Sequence, residues 1–537
     1  MSRLVEALIA AGWLEPDVSA SNVLNVPKAG DDLLPLLVQI AQQATGKSAH
    51  PTMQSVLAWA QQLGAKLTVG WPECEARPLE HWIGPRLMWW PRGIPDGRKV
   101  AWVSSRLGRA IDERPDWFAV LRSAVAKLDP AHDVLLTAPS TTVDRFLERA
   151  AILFGLRRLR IHLDERRTLV DWLVRLRRQL SRNYLARDSE TQIDAACSEV
   201  FVSPVGGWAL LPVPHSENKD GQECPSSVLP LSDRVLIAAA DRVLALQVRS
   251  NGNLHQLLRA RLTDPAWPTA SVWLALGESL VSADVATELQ SLGAVGWWLF
   301  VADASGIRPQ ELEEQHSDAR RVGHEEFPWP DGDYLVHWTR RRDGPWPDQS
   351  ETDFIDDLLL SRESSSHSAF AALSRIVQQR RLIASAAGIR GETGVVSFSA
   401  NPLSALAKQR TFRAHRGRWD SEAFGLCVRR DWLHARGAKP VIYGDDASWT
   451  TLSDSERPFF QLQTTRARRG AKVINWSQEA EWRVPHDLDL SEASRDDVVL
   501  FVPSAEEARQ LAAISPWPVF VLSNDSMPRG HSINEPL

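Results

Sequence analysis

The chain has 537 residues, 44% of them hydrophobic, and a formal net charge of −6. This length exceeds what one hydrophobic core usually supports, so two or three domains are expected. The negative balance argues against a protein whose whole surface coats nucleic acid, but it allows local basic patches. Most of the 61 basic residues are Arg, a side chain suited to bidentate contacts with phosphate and carboxylate groups.

The cysteines are too few and too scattered for a zinc ribbon or a disulfide framework, since they are Cys74, Cys197, Cys224 and Cys427. This spacing fits a reducing cytoplasm, and no metal is predicted. No stretch approaches the ~20 apolar residues that span a bilayer, and the N-terminus lacks the apolar run of a signal peptide. A soluble cytoplasmic protein with no membrane contact is expected.

Residues 1–75 predict a small helical N-terminal cap, because residues 33–40 and 53–60 show helical periodicity. We find no catalytic constellation in this segment. From residue 99 the pattern changes to apolar strands that alternate with helices, and strands are predicted at residues 100–103, 133–137, 242–246 and 271–277. Such alternation predicts an α/β domain with a parallel sheet over residues 99–300.

Two polar stretches interrupt this organisation. Residues 186–231 are rich in Ser, Pro, Gly and acidic side chains and predict a loop insertion. Residues 310–332 predict a linker that ends in a turn. Beyond it, residues 333–525 predict short strands with few helices between them, which is typical of an α+β sheet domain.

Residues 99–300 carry three motifs at the ends of predicted elements: Ser104-Ser105-Arg106, Asp241 with Ser250-Asn251-Gly252-Asn253, and Gly293-Ala294. Their order resembles the Rossmann-like nucleotide-binding domain of the DprA and SLOG proteins. Ser104 departs from the usual Gly, and residues 138–142 replace a Gly-rich phosphate loop. The resemblance implies a nucleotide or DNA site at Ser105, Arg106, Ser250 and Asn253, which should converge at the carboxyl ends of parallel strands.

The C-terminal segment presents His337-x-Thr339 on an apolar strand and Glu479-x-Glu481 far downstream. This pair resembles the ADP-ribosyltransferase-like fold, a split sheet in which the His-x-Thr strand holds a nicotinamide ribose and a late Glu carries the chemistry. The resemblance implies NAD as a cofactor, Glu481 as the catalytic carboxylate with Glu479 beside it, and Thr339, Ser397 and Ser399 around the cofactor. His337, Thr339, Ser397 and Glu481 should line one cleft, with the first strand and the Glu481 strand as neighbours.

A purely structural interpretation stays open, in which His337 is a core histidine whose ring nitrogens are hydrogen-bonded within the protein, and Glu479, Glu481 and Arg483 form surface ion pairs.

An Arg-rich segment with an interleaved aromatic residue directly follows the Ser397 strand. It predicts contact with a nucleic-acid backbone or a diphosphate through Arg410, Arg413, Arg416 and Arg418. A solvated charged face is the alternative for this run.

Together these features predict an enzyme that acts on a nucleotide or nucleobase, with NAD-dependent ADP-ribosyl transfer as the first interpretation. An NAD-independent reaction on a DNA base, such as a 7-deazaguanine in a DNA-modification island, is an alternative. A non-catalytic nucleotide sensor or scaffold in phage defence, with partner proteins of that system, is another, because one fold can host unrelated activities.

Overall fold

The computed structural model divides the chain into two compact units. The first comprises residues 1–306 with 358–361, and the second comprises residues 307–357 with 362–537. The structure describes residues 2–14, 31–43, 53–71, 82–84, 86–108, 111–164, 167–185, 197–204, 229–268, 270–277, 279–298, 327–386, 389–408, 412–413, 418–419, 422–463 and 479–522.

The first unit is built on a nine-stranded sheet in the order β1-β2-β6-β5-β4-β3-β7-β8-β9. From β6 to β9 each neighbouring pair is parallel, whereas β1 and β2 add an antiparallel edge. The strands are β1 Lys66–Val69, β2 Leu87–Trp90, β3 Arg98–Ser104, β4 Asp133–Thr137, β5 Arg158–Leu163, β6 Cys197–Val202, β7 Arg242–Gln247, β8 Val272–Leu276 and β9 Val295–Trp298. The unit is therefore a mixed α/β domain with a large, mostly parallel sheet.

Helices join the parallel strands, as such connections require. Pro115 begins α4, where its fixed φ suits the first helical turn. Every residue of β4 is buried, which indicates that both faces of the sheet are covered there. The helices of this unit are α1 Ser2–Ala10, α2 Leu34–Gln43, α3 Met53–Gln62, α4 Pro115–Val125, α5 Asp144–Leu153, α6 Leu169–Leu185, α7 Leu231–Ala239, α8 Asn253–Thr263 and α9 Ala283–Ser291.

The strand order changes direction between β3 and β7. These two strands pair in parallel, with Ala101 opposite Val243 and a register shift between Val103 and Ser104. The chain progresses to one side through β4, β5 and β6, and then returns to continue on the other side through β7, β8 and β9. Such a topological switch point opens a crevice at the carboxyl ends of the two central strands, where ligands bind in open α/β sheets.

Two segment predictions need correction. The N-terminal segment is not only helical, since Lys66–Val69 forms β1 and pairs with β2. Helices α1, α2 and α3 bury one apolar cluster with α6, which includes Leu8, Leu57 and Leu173. The range 186–231 is not only a loop either, because Cys197–Val202 forms β6 within the sheet. Its remaining residues, 186–196 and 205–228, lie outside the described part of the chain. The β-branched and aromatic run Val200-Phe201-Val202 was the overlooked signal for that strand.

The second unit contains a seven-stranded sheet in the order β16-β19-β12-β10-β15-β21-β22. All its neighbouring pairs are antiparallel except β21 with β22. Its strands are β10 Tyr334–Trp338, β12 Val395–Ser399, β15 Gly425–Arg429, β16 Lys439–Pro440, β19 Glu481–Pro485, β21 Val498–Val502 and β22 Val519–Val521. Small two-stranded sheets are formed by β11 Arg381–Leu382 with β20 Leu488–Asp489, β13 Phe412–Arg413 with β14 Arg418–Trp419, and β17 Ile442–Gly444 with β18 Phe460–Leu462.

Local capping explains where several C-terminal helices begin and end. The Ser368 hydroxyl accepts the Ala371 amide at the start of α11, and Arg380 ends that helix in the left-handed region with φ 49°. At the N-cap of the helix Ala505–Ala512, the Ser504 hydroxyl accepts the Glu507 amide and donates to the Glu507 carboxylate. The helices are α10 Glu351–Leu359, α11 Ala369–Gln379, α12 Leu403–Lys408, α13 Arg430–Ala435, α14 Asp446–Thr451 and α15 Ala505–Ala512.

The first strand of this unit and the strand that begins at Glu481 are not neighbours, contrary to the sequence-based prediction. Strand β12 lies between them and pairs with both. Sequence order gives no information about which strands pair when the connections are long. The strand with the two serines therefore forms the structural bridge between His337 and Glu481.

Candidate functional site

Ser397 connects the two ends of the predicted C-terminal site. The His337 Nδ1 atom lies 2.9 Å from the Ser397 carbonyl oxygen, so the ring nitrogen donates to it. The Ser397 hydroxyl donates to the Glu481 Oε1 atom over 2.8 Å. His337, Ser397 and Glu481 are thus joined by hydrogen bonds across three adjacent strands, although they are far apart in sequence.

Strand alternation places His337 and Glu481 on opposite faces of the sheet. His337 pairs with Leu426 and shares its face with Leu335, two residues earlier on β10. Glu481 pairs with Ser399, and Ser399 pairs with Val336, so Glu481 projects on the other face. The predicted single cleft that contains both side chains is therefore wrong. The contact between them passes through the backbone and side chain of Ser397.

Glu481 is held by a buried arginine on its own strand. Arg483 is 1% exposed, and its Nε and Nη2 atoms donate to the two carboxylate oxygens over 2.9 and 3.2 Å. The remaining guanidinium hydrogens bond to the Phe460 carbonyl at 2.7 Å and to the Gln461 side chain at 2.6 Å. This bidentate contact fixes the carboxylate orientation. The ion pair that the structural interpretation placed at the surface is mostly buried.

Glu481 nevertheless keeps the capacity to accept a further hydrogen bond. Its side chain is 16% exposed. Among the described residues, Oε2 receives a single hydrogen bond, from Arg483, whereas a carboxylate oxygen can accept two. Tyr443 lies close by, and burial, followed by the charges of Glu481 and Glu479, raises the pKa of its hydroxyl. A ligand hydroxyl that reaches this face would meet one oriented carboxylate.

Glu479 does not continue the strand alternation that was predicted for it. Strand β19 begins at Glu481, and Ala480 has a positive φ of 43°, so the backbone turns between the two glutamates. The Glu479 carbonyl accepts a hydrogen bond from the Ser399 hydroxyl over 2.8 Å. Ser399 shares the face of Glu481, because the two residues are paired. Its hydroxyl, however, is already bonded to the Glu479 carbonyl.

Thr339 is buried and serves the fold. Its hydroxyl donates to the Ala369 carbonyl over 2.9 Å at the start of α11, and its amide donates to Phe424. Leu373 of that helix packs in the same core cluster as Leu335, which lies on the face of His337. Thr339 and His337 therefore both lie on the face of the sheet opposite to Glu481.

Burial keeps the His337 ring neutral. Burial, and secondarily the charge of Arg340, lowers the pKa of His337 to about 4, against the opposing effect of the hydrogen bond to Ser397. Because Nδ1 carries the proton in that hydrogen bond, Nε2 presents its lone pair. No described residue donates to Nε2.

The neutral state of His337 predicts a specific pH dependence of stability. A folded pKa of about 4, below the unfolded value near 6.5, means that stability is complete above pH 6.5 and is lost as pH falls toward 4. We expect that between pH 6.5 and 4 the free energy of unfolding falls by up to about 3 kcal/mol less in His337→Gln than in the wild type. The measurement is the free energy of unfolding of both proteins between pH 8 and 4, with His132→Gln, at an exposed histidine, as control. Parallel curves for wild type and His337→Gln would refute the neutral-histidine assignment.

The two loops at the switch point of the first unit are hydrogen-bonded to each other. The Ser105 amide donates to the Gln247 carbonyl over 2.8 Å, and the Ser105 hydroxyl accepts the Arg249 amide over 3.0 Å. Arg249 also donates to the Arg106 carbonyl over 2.6 Å. Ser105 and Arg106 therefore lie beside the loop that carries Ser250, at the carboxyl ends of β3 and β7.

This loop leads into a helix whose N-terminus is open. Gly252 occupies the N-cap position of α8 and provides no side-chain cap. The amides of the first helical turn, which begins at Asn253, lack helical partners and can donate hydrogen bonds to an anion. Asn251 adopts a positive φ of 56°, a conformation that asparagine tolerates. Ser250, Asn253 and Arg106 are exposed, and within the described chain no side chain pairs with the Arg106 guanidinium.

A cavity of about 380 Å³ adjoins the first of these loops. Leu107 and Gly108 form one wall, and the start of α4 with Trp117 forms another. The Trp117 indole donates to the Ser104 hydroxyl over 3.0 Å, which fixes the turn that follows β3. This role of Ser104 explains how a hydroxyl occupies the place where the resemblance has glycine.

Asp241 has a structural role at the opposite edge of the sheet. Its carboxylate accepts the Lys99 amide over 2.7 Å, at the amino ends of β3 and β7. It therefore does not join Ser105 and Ser250. Sequence reasoning missed Arg249 as part of the switch-point site, although it directly precedes the Ser250–Asn253 motif that was singled out.

The Arg-rich segment falls mainly outside the described residues. Arg410 and Arg416 are outside them, and for Arg413 and Arg418 the structure describes only the backbone, paired in a short hairpin. Their contact with nucleic acid stays a prediction.

Within the described chain no group of three His, Cys, Asp or Glu side chains could hold a metal ion. Of the helices that the structure describes, none combines the length and apolar character needed to cross a bilayer.

Comparisons with known proteins give one weak structural similarity to report. No protein-family model and no curated protein match the chain. Among solved structures, the chain is similar to DNA processing protein A (DprA) from Streptococcus pneumoniae, with 14% sequence identity and a TM-score of 0.26. That match covers 55% of this chain and 94% of the other. A TM-score this low says nothing about activity, so function has to be argued from the geometry of the sites.

Proposed function

We propose that this protein acts on a nucleotide or nucleobase, and that its first unit binds the phosphate of a nucleotide or of DNA at the switch point. The observation that carries this proposal is the junction of the Ser105-Arg106 and Arg249–Asn253 loops beside the open N-terminus of α8. Hydroxyls, helix amides and an exposed guanidinium are donors that suit a phosphate. The position agrees with the general rule for ligand sites in open α/β sheets.

Arg106→Ala is the direct test of this binding site. We expect about tenfold weaker binding of nucleotide or single-stranded DNA, because one charge-assisted hydrogen bond is lost. The fold should be unaffected, since Arg106 is exposed. Equilibrium binding at fixed salt measures the effect, with the exposed Arg182→Ala on α6 as the matched control. Equal affinity of Arg106→Ala and wild type for both ligands would contradict the proposal.

We further propose that the second unit carries the chemistry, with Glu481 as the catalytic carboxylate. A carboxylate that is oriented by Arg483 and Ser397, with acceptor capacity left on Oε2, is suited to polarise a ribose hydroxyl as positive charge develops on the sugar. NAD-dependent ADP-ribosyl transfer is the first reaction to test. NAD would then be held on the face of Ser397 and Ser399. Because His337 lies on the other face, its contribution is to position Ser397 rather than to contact the ribose.

Product analysis distinguishes the reactions that this site could perform. The full chain is incubated with NAD, with and without single-stranded DNA, and free nicotinamide is quantified by chromatography. Release of nicotinamide supports ADP-ribosyl transfer. No release, together with an altered nucleoside in digested DNA by mass spectrometry, supports the NAD-independent base modification instead, for example of a DNA containing a 7-deazaguanine base.

A non-catalytic nucleotide sensor is the second candidate function. The observation that favours it is the bidentate Arg483 contact, because it uses much of the hydrogen-bonding capacity of the Glu481 carboxylate within the protein. Under this alternative the first unit still binds nucleotide, while the second unit contacts a partner protein of a defence or DNA-modification system. Nucleotide binding that depends on Arg106, without any product from NAD or DNA, is the result that this candidate predicts.

A further inference from the structure

One cavity of the first unit lies away from the switch point and has no role in the function proposed above. Its volume is about 680 Å³, within the range of small-molecule sites. It opens beyond the carboxyl ends of β4 and β5, with walls from Ser140, Leu163 and the side of α6. The carboxyl edge is where parallel sheets present ligand sites, because the loops and helix N-termini meet there.

One wall of this cavity is aromatic. The His162 and Phe201 rings, on adjacent strands, stack with their centroids 4.5 Å apart and their planes inclined by 8°. The His162 Nε2 atom bonds to the Glu199 carboxylate over 2.9 Å, which holds the ring in place. Trp172, only 5% exposed, forms part of the floor. Stacked and apolar surfaces of this kind bind the faces of nucleobases.

Two guanidinium groups form another wall. Arg167 and Arg175 both contact the Asp164 carboxylate, at 3.0 and 3.8 Å. In the described part of the chain these are the contacts that the two side chains make, so most of their N–H groups remain available. Asp164 is 22% exposed and holds both cations at the rim without neutralising the pair. Arg side chains in this arrangement bind phosphate by paired hydrogen bonds.

A third feature adds amide donors. Pro230, Leu231 and Ser232, at the start of α7, line the cavity. Pro230 is the N-cap residue and gives no side-chain hydrogen bond to the helix. The N-terminus of α7, with its partial positive charge, therefore forms part of the cavity wall.

We infer that this cavity is a second nucleotide site, independent of the switch point, in which a base packs against the His162–Phe201 stack and a phosphate binds Arg167 and Arg175. The shared ligand chemistry is a nucleobase joined to a phosphate. A free nucleotide and a nucleotide within single-stranded DNA both supply it.

The test separates this site from the switch-point site by removing the latter. In the full chain carrying Arg106→Gln, binding of adenosine 5′-monophosphate and of a single-stranded oligothymidylate is measured by equilibrium dialysis. We expect Arg167→Gln or Arg175→Gln in this background to weaken binding about tenfold, as loss of a charge-assisted contact would. Arg178→Gln, an exposed residue on the same helix, is the matched control and should leave affinity unchanged.

Each outcome is decisive for this inference. Loss with the monophosphate assigns the site to free nucleotides, whereas loss with the oligonucleotide alone assigns it to single-stranded DNA. No binding in the Arg106→Gln protein, or equal affinity with and without Arg175→Gln, would overturn the second site while the switch-point proposal stands. Photocrosslinking with 8-azidoadenosine monophosphate should label peptides that contain Trp172 or Phe201. Labelling only at residues 105–108 or 249–253 would likewise overturn it.

Discussion

Replacing Arg483 by Met is expected to lower the free energy of unfolding of the C-terminal unit by about 3–5 kcal/mol, the range found when one partner of a buried ion pair is removed. The side chain is 1% exposed. Its loss removes both Arg483 donors from the Glu481 carboxylate, which keeps the Ser397 hydroxyl on Oε1, and removes the Arg483 donor from the Phe460 carbonyl. Met fills much of the same volume. Each unpaired buried acceptor carries a desolvation cost.

Hydrogen exchange of peptides from β19 and β12, followed across a urea series, measures this change in the unit concerned. Arg509→Met is the matched control, because Arg509 pairs with Glu506 while 68% exposed and should contribute less than about 1 kcal/mol. The double substitution of Glu481 and Arg483 by Met should recover part of the loss. A change below the control value for Arg483→Met would show that the pair is not structural.

Replacing Glu481 by Gln is expected to lower turnover by about 10²–10³, the cost of removing one group that stabilises transition-state charge. Ligand affinity should change little, since the interaction strengthens mainly as charge develops. The measured quantity is the rate of the product that the wild type forms, whether nicotinamide or an altered nucleoside. A folded-state check by circular dichroism accompanies it.

Glu479→Gln is the control for this substitution, because Glu479 is exposed and lies before the turn at Ala480. It should keep most of the activity. Wild-type turnover in Glu481→Gln would leave Glu481 and Arg483 as a structural pair and would favour the sensor function. Equal losses in both variants would instead indicate that the two carboxylates act together, as the Glu-x-Glu motif first implied.

Much of the secondary structure could be predicted, because apolar strands of a parallel sheet are continuous in sequence. The predicted strand at residues 133–137 coincides with β4, and those at 100–103 and 242–246 lie within β3 and β7. Strand β6 was hidden in a polar range, since only alternate residues of it are fully buried. Helix α10 was missed within a segment that looked interrupted by proline and arginine.

The two predicted sites differ in how far local sequence could define them. At the switch point the ligand donors belong to turns that directly follow strands, so the element order alone brought Ser105 and Ser250 to one edge. At the C-terminal site, the face of the sheet on which each side chain lies decides which residues can share a cleft. Register is fixed by long-range pairing, and each residue of offset reverses the face. Nothing in the His-x-Thr or Glu-x-Glu motif reports that register.

By itself, the sequence determined the α/β alternation, the buried strands and the turn residues at their carboxyl ends, because these depend on hydrophobic periodicity and local backbone preference. Tertiary structure alone decided that β12 separates β10 from β19. It also decided that Arg483 is buried against Glu481 and that His162 stacks on Phe201. These features arise from pairings between distant segments, whose free energy depends on packing that no local pattern encodes.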